Sequence, residues 1–97
     1  MMVTLSDVQA HRAAILQLAA KYGADQVRVF GSVLHGTAGP DSDLDLLVRF
    51  SKTASLIDHI ALMQDLEEML GVKVDVVSEK GLHPLIRDSV LSEVVPL

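Results

Sequence analysis

The sequence predicts an α/β domain: a small mixed β-sheet with helices packed on one of its faces. Three observations predict it. Two segments, Asp43 to Phe50 and Val72 to Val77, alternate between apolar and polar residues with period two, as half-buried strands do. A third run, Val27 to Phe30, is β-branched and aromatic and stops at Gly31, which reads as a short strand entering a turn. Around these lie stretches with apolar residues at helical spacing, so that the order is helix, strand, loop, strand, helix, strand, helix. That order suits a sheet whose apolar face is covered by helices and whose other face is left for chemistry.

Each element follows from local signals. Ser6 and Asp7 open a helix in which Val8, Ile15, Leu18, Ala19 and Tyr22 share a face, and Gly23 ends it. Gly31, Gly36, Gly39 and Pro40, with the turn formers Asp41 and Ser42, make residues 31–42 mostly loop, with room for one helical turn after Ser32. In the strand that follows, Leu44, Leu46, Val48 and Phe50 point one way and Asp43, Asp45, Leu47 and Arg49 the other. Ser55 is placed to cap a helix through Leu70, with Leu56, Ile60, Met63, Leu66 and Leu70 as its apolar stripe and Gly71 as its stop. The third strand puts Val72, Val74 and Val76 opposite Lys73, Asp75 and Val77. Pro84 then starts a terminal helix that carries Leu85, Ile86, Val90, Leu91 and Val94 and ends before Pro96.

Composition narrows the function classes. A chain of 97 residues fits one domain, residues 1–97, with one hydrophobic core. Hydrophobic residues make up 49% against 22% charged, which excludes disorder and leaves apolar surface suited to a protein interface. Thirteen acidic residues against eight basic ones give a net charge of −5, so direct binding to nucleic acid is not expected. An acidic protein that handles phosphates needs divalent cations between the like charges, and its surface suits a basic partner. Without cysteine there are no disulfides and no thiolate metal sites. The N-terminus reads as no signal peptide and no apolar run spans a membrane, so a soluble cytoplasmic protein is expected.

One constellation calls for a chemical reading: Gly31-Ser32, ten residues, Asp43-Leu44-Asp45, and later Asp75 alone in an apolar strand. Glycine lets the backbone bend and come close to a phosphate, while the Ser32 hydroxyl and nearby N–H groups can donate to its oxygens. Asp43 and Asp45, two apart on a strand, have Cα atoms about 7 Å apart on one face. Such a pair suits two Mg²⁺ ions roughly 4 Å apart, the arrangement that clamps attacking and leaving oxygens in phosphoryl transfer. Asp75, from a neighbouring strand, completes the cluster as a ligand or as the group that takes the proton from an attacking hydroxyl. Taken singly, Asp-x-Asp is a common turn edge, Gly31 a turn glycine and Ser32 a helix cap. At ordinary residue frequencies the four fixed positions together occur by chance on the order of once in a thousand chains of this length. His11, His59 and His83 have no metal-ligand spacing and read as surface or boundary residues, and Glu67-Glu68 as a solvated helix face.

The pattern G31-S32-x10-D43-x-D45 followed by a strand aspartate resembles the signature of the DNA polymerase β-like nucleotidyltransferase superfamily. VRVFGS, DSDLDLLV, GVKVDVVS and LIRDSVLSEVVPL are more closely similar to the minimal nucleotidyltransferases that serve as antitoxins in HEPN/MNT toxin–antitoxin pairs. The resemblance implies a nucleotidyltransferase fold and transfer of AMP from ATP onto a tyrosine of a HEPN-domain ribonuclease, which silences the toxin. It also implies roles: Gly31 and Ser32 hold the triphosphate, Asp43 and Asp45 the two Mg²⁺ ions, and Asp75 is the third carboxylate. Where family members commonly carry arginines just after the Gly-Ser pair, this chain has Val33, Leu34 and His35. That departure motivates a second reading, an antitoxin that neutralises its toxin by binding alone. A third, an antibiotic nucleotidyltransferase, calls for a second domain to shape the acceptor site.

Overall fold

The computed structural model describes residues 4–37, 39 and 43–97. The expected turn formers Asp41 and Ser42, with Pro40, lie outside the described residues. Among the described residues four strands, β1 (Ala24–Phe30), β2 (Leu44–Phe50), β3 (Val74–Ser78) and β4 (Val95–Pro96), form one mixed sheet in the order β3-β2-β1-β4. β1 runs antiparallel to β2 and to β4, and β2 runs parallel to β3. The helices are α1 (Leu5–Ala10), α2 (Arg12–Lys21), the single turn α3 (Ser32–His35), α4 (Leu56–Leu70) and α5 (Pro84–Ser92), with a 3₁₀ turn at Glu79–Gly81.

Strand parity is as the sequence implies. Leu44, Leu46 and Val48 of β2, Val74 and Val76 of β3 and Val27 and Val29 of β1 are buried together against Ile15 and Ala19 of α2 and Leu62 and Leu66 of α4. α2 and α4 therefore cover the apolar face of the sheet. Among the described residues no helix is long and apolar enough to cross a membrane.

Several local expectations are corrected. The first helix is two, capped by Thr4 rather than Ser6: Thr4 and Asp7 bond each other's backbone N–H groups as a capping box. At His11 the ring Nδ1 takes the Asp7 carbonyl at 2.9 Å, and the His11 backbone N–H donates to Val8 instead. The imidazole occupies the acceptor that a continuous helix reserves for the backbone, and the helix breaks there. β1 begins three residues early, at Ala24, and bulges between Asp25 and Arg28, with Gln26 at φ +50°. The extra residue keeps both Asp25 and Arg28 facing away from the core.

The stripe on α4 is also displaced. Ser55 caps the helix and Gly71 ends it as expected, but Leu56 is 72% exposed and Ile60 42%, and the buried residues are Leu62 and Leu66. α4 turns the side that carries Leu62 and Leu66 to the sheet, with His59 of its first turn on that same side, so Leu56 and Ile60 lie round the helix toward solvent. β3 starts at Val74, not Val72. The terminal helix ends at Ser92, and Val95–Pro96 pairs with β1 as an edge strand, Leu97 N–H donating to Val27 at 2.9 Å. Two residues of strand carry too little periodicity to read from sequence.

Candidate active site

The face of the sheet turned away from α2 and α4 carries three rows of side chains, set by the pairing register. Phe30, Asp45 and Asp75 form the first row, Arg28, Leu47 and Val77 the second, and Asp25 and Arg49 the third. Asp45 and Asp75 are direct partners across the parallel β2–β3 pair, which sets their Cα atoms about 4.8 Å apart. Neither chain segment alone specifies this; the crossover through α4 brings them level. Asp43 lies one residue before β2, exposed, rather than within the strand as expected.

Gly31 closes the site from the side of β1. Its φ of +76° and ψ of −153° lie in a region open essentially to glycine alone. A Cβ there would stand 2.1 Å from Asp45 Oδ2 and 3.0 Å from Asp45 Cγ. The Asp45 carboxylate therefore lies against the bare α-carbon of Gly31, and no other residue fits between them. Ser32 is the first residue of α3, half-buried. The leading N–H groups of this turn have no partner within it, so donors stand beside the carboxylate. Gly36, left-handed at φ +70°, and Thr37, whose N–H donates to Ser32 O at 3.0 Å, close the turn.

The electrostatics of the first row are one-sided. Burial pushes the Asp45 carboxyl above the ordinary carboxylate range, and the Asp75 and Asp43 carboxylates push it further. Among the described residues no three acidic or histidine side chains, as they stand, close into a ready-made ion cage. The Asp45–Asp75 pair is nonetheless an all-oxygen donor set with unrelieved repulsion, which a hard divalent cation relieves.

The remaining rows are compensated. Arg49 holds Asp25 with two hydrogen bonds of 2.9 Å, so it does not serve the aspartates. Arg28, with 11% of its side chain exposed, pairs with Glu79 at 3.0 Å, and Arg87 reaches the same Glu79 at 3.5 Å. Leu47, expected on an open face, is fully buried, because the 3₁₀ turn packs over the middle row. Sequence reading missed the Arg28–Glu79 pair; its one signal was an arginine inside the otherwise apolar VRVF run. Val33 is buried in the core, and His35 Nε2 lies 3.4 Å from Glu93 on the exposed surface. A groove of about 590 Å³ between α2 and α4, lined by Leu18, Lys21, Asp65 and Met69 among others, lies on the side of the sheet opposite the aspartates.

Paired carboxylates beside a glycine turn, on a mixed sheet of this order, suit the handling of phosphoryl groups, and the comparisons specify the class. The model of the nucleotidyltransferase domain family matches residues 12–97, and the chain belongs to that family and is a nucleotidyltransferase enzyme. It is 39% identical over 98 residues to the protein adenylyltransferase MntA of Thermococcus cleftensis, covering 97% of this chain and 96% of that protein. A solved structure described as a minimal nucleotidyltransferase superposes with a TM-score of 0.88 at 53% identity, covering 98% of this chain and 97% of the other. The fold is shared more distantly with a complex of an MNT antitoxin and a tri-AMPylated HEPN toxin from Shewanella oneidensis. There the TM-score is 0.68 at 21% identity, over 91% of this chain and 69% of that one.

Proposed function

We propose that this chain is an Mg²⁺-dependent protein adenylyltransferase that moves AMP from ATP onto a tyrosine of a HEPN-domain toxin and thereby acts as an antitoxin. The observation that carries the reading is the register pairing of Asp45 with Asp75 directly against Gly31. The near end-to-end likeness to the Thermococcus cleftensis adenylyltransferase supports it, since that protein matches without a second domain.

In the proposed reaction, Gly31 and the Ser32 hydroxyl and N–H groups hold the triphosphate. Asp43 and Asp45 would hold the two Mg²⁺ ions, which would neutralise the phosphates and lower the pKa of the attacking hydroxyl. Asp75 completes the carboxylate set and accepts the tyrosine proton. The tyrosine oxygen forms a bond to the α-phosphorus, the bond from that phosphorus to the oxygen bridging to the β-phosphorus breaks, and pyrophosphate leaves with the electron pair. Burial of Asp45 and the like charge of its neighbours supply the attraction for the metal, because the cation removes the repulsion.

The test is incubation of the full chain with labelled ATP, Mg²⁺ and the HEPN-domain protein encoded beside it. Label should appear on a tyrosine of that partner, and Asp43→Ala with Asp45→Ala should lower transfer by about a thousandfold or more. Absence of label with wild-type protein would refute the reading.

A specific observation favours one alternative, an antitoxin that works by covering its toxin. Val33 is packed in the core and His35 is turned to Glu93, so α3 directs no arginine at the triphosphate. In that case the double aspartate variant still protects cells from the toxin.

A further inference from the structure

β3 is the edge of the sheet on the side where Asp75 sits. An edge strand ordinarily leaves a row of backbone groups without partners. Leu44 N–H donates to Lys73 O at 2.9 Å, so the backbone of residues 73 and 75 faces β2, and by alternation that of Val74 and Val76 faces outward. These outward groups flank Asp75, and a side chain of α4 takes one from each residue. Glu67 Oε2 accepts from Val74 N–H at 3.1 Å, and His59 Nε2 donates to Val76 O at 2.5 Å.

The two side chains are placed to grip. His59 and Glu67 stand two helical turns apart, about 12 Å along α4, yet converge on strand residues about 7 Å apart. The His59 ring is held in turn against Phe50, the last residue of β2, with centroids 5.0 Å apart. α4 itself is anchored in the core by Leu62 and Leu66. Glu67 is thus no merely solvated residue, and His59 is more than a boundary one.

We propose that His59 and Glu67 are positioning residues that lock β3 in register and so keep the Asp75 carboxylate level with Asp45. The proposal rests on the reading of Asp75 as a carboxylate of the transfer site. β3 has five residues and pairs with one strand only, in the parallel arrangement, which is slightly weaker per residue than the antiparallel one. A slip of one residue would turn Asp75 toward the core face, and a displacement of about 1 Å already costs about a hundredfold in a positioned reaction. Glu67 and His59 bind the residue before and the residue after Asp75, where they oppose both sliding and fraying.

The experiment compares His59→Ala, His59→Gln, Glu67→Ala, Glu67→Gln and Asp75→Ala in the full chain. It reads kcat and KM for ATP in transfer to the partner, Mn²⁺ affinity of the isolated protein, and amide exchange at residues 74–77. Glutamine keeps a donor at 59 and an acceptor at 67. The alanine variants should lose about 10- to 100-fold in kcat or Mn²⁺ affinity, with KM for ATP within about twofold and faster exchange in β3, and the glutamine variants should recover most of the loss. Should His59→Ala fail to fold, Glu67→Ala and the glutamine pair carry the same comparison. Alanine variants with unchanged kcat, Mn²⁺ affinity and β3 exchange, or losses that glutamine does not recover, overturn the proposal. Asp75→Ala separates the two failures: if it is inactive while the alanine variants are normal, positioning alone is wrong, and if it is fully active, the role given to Asp75 is wrong.

Discussion

The two ends of one sheet face treat charge in opposite ways. At the end near Gly23 and Phe50, Asp25 and Arg49 face each other across β1 and β2 and neutralise one another through two hydrogen bonds, which hold the Asp25 carboxyl below the ordinary range. At the other end Asp45 and Asp75 face each other across β2 and β3 with like charge, and Asp45 is pushed above the ordinary carboxylate range by burial and by its acidic neighbours. Between them Arg28, Glu79 and a buried Leu47 make a packed, compensated divider. A chain selected for stability alone would treat both ends as it treats the first. Uncompensated charge, next to a glycine whose backbone no other residue tolerates, is what the proposed transfer reaction would use.

Breaking the uncompensated end should have the largest effect. Asp45→Asn or Asp75→Asn should reduce nucleotidyl transfer by about a thousandfold, read in a labelled-nucleotide assay. Gly31→Ala comes next: its Cβ collides with the Asp45 carboxylate and its backbone leaves the permitted region, at about 1–3 kcal/mol in stability. Transfer should fall by about a hundredfold because Asp45 must move, with urea unfolding reporting the stability loss separately.

The divider and the compensated end give purely structural effects, with transfer little changed. Leu47→Ala should cost about 2–5 kcal/mol by leaving a cavity under the 3₁₀ turn, measured by denaturant unfolding. Asp25→Asn should leave transfer unchanged and barely move the melting temperature, because exposed ion pairs contribute little.

The sharpest contrast lies in pH dependence without metal. Because Asp45 binds its proton more tightly in the folded state than in the unfolded chain, the folded state holds more protons between the ordinary carboxylate range and the raised value. Stability in a chelator should therefore fall as pH rises through that window, and Asp45→Asn should remove that contribution and be the more stable variant above it. Transfer should run the other way, failing as the pH drops and the carboxyl is protonated. A melting temperature of Asp45→Asn below that of wild type in chelator at neutral pH would show that the repulsion is compensated after all.

Local rules carried much of the fold. Alternation in Asp43 to Phe50 and Val72 to Val77 placed every buried residue of β2 on the correct face, although it did not foretell that Leu47 is buried there, and Ser55 and Gly71 bounded α4 correctly. Where local rules failed, a distant contact intervened. Leu47 is buried by a turn more than thirty residues later, and the stripe on α4 lost Leu56 and Ile60 because the helix packs on the side that carries Leu62 and Leu66. The break at His11 arose from a ring that competes for a backbone carbonyl, which composition does not reveal.

By itself, the sequence determined which residues could meet: period two put Asp45 and Asp75 on the non-core side of their strands, and the Gly-Ser spacing marked the turn beside them. Only the tertiary structure decided that they do meet. Register between β2 and β3 depends on how α4 packs and on side chains that reach the edge of β3, and the fit of Asp45 against Gly31 depends on the alignment of β1 with β2. Parity is a property of one chain segment, whereas register is a property of two, set by the packing between them.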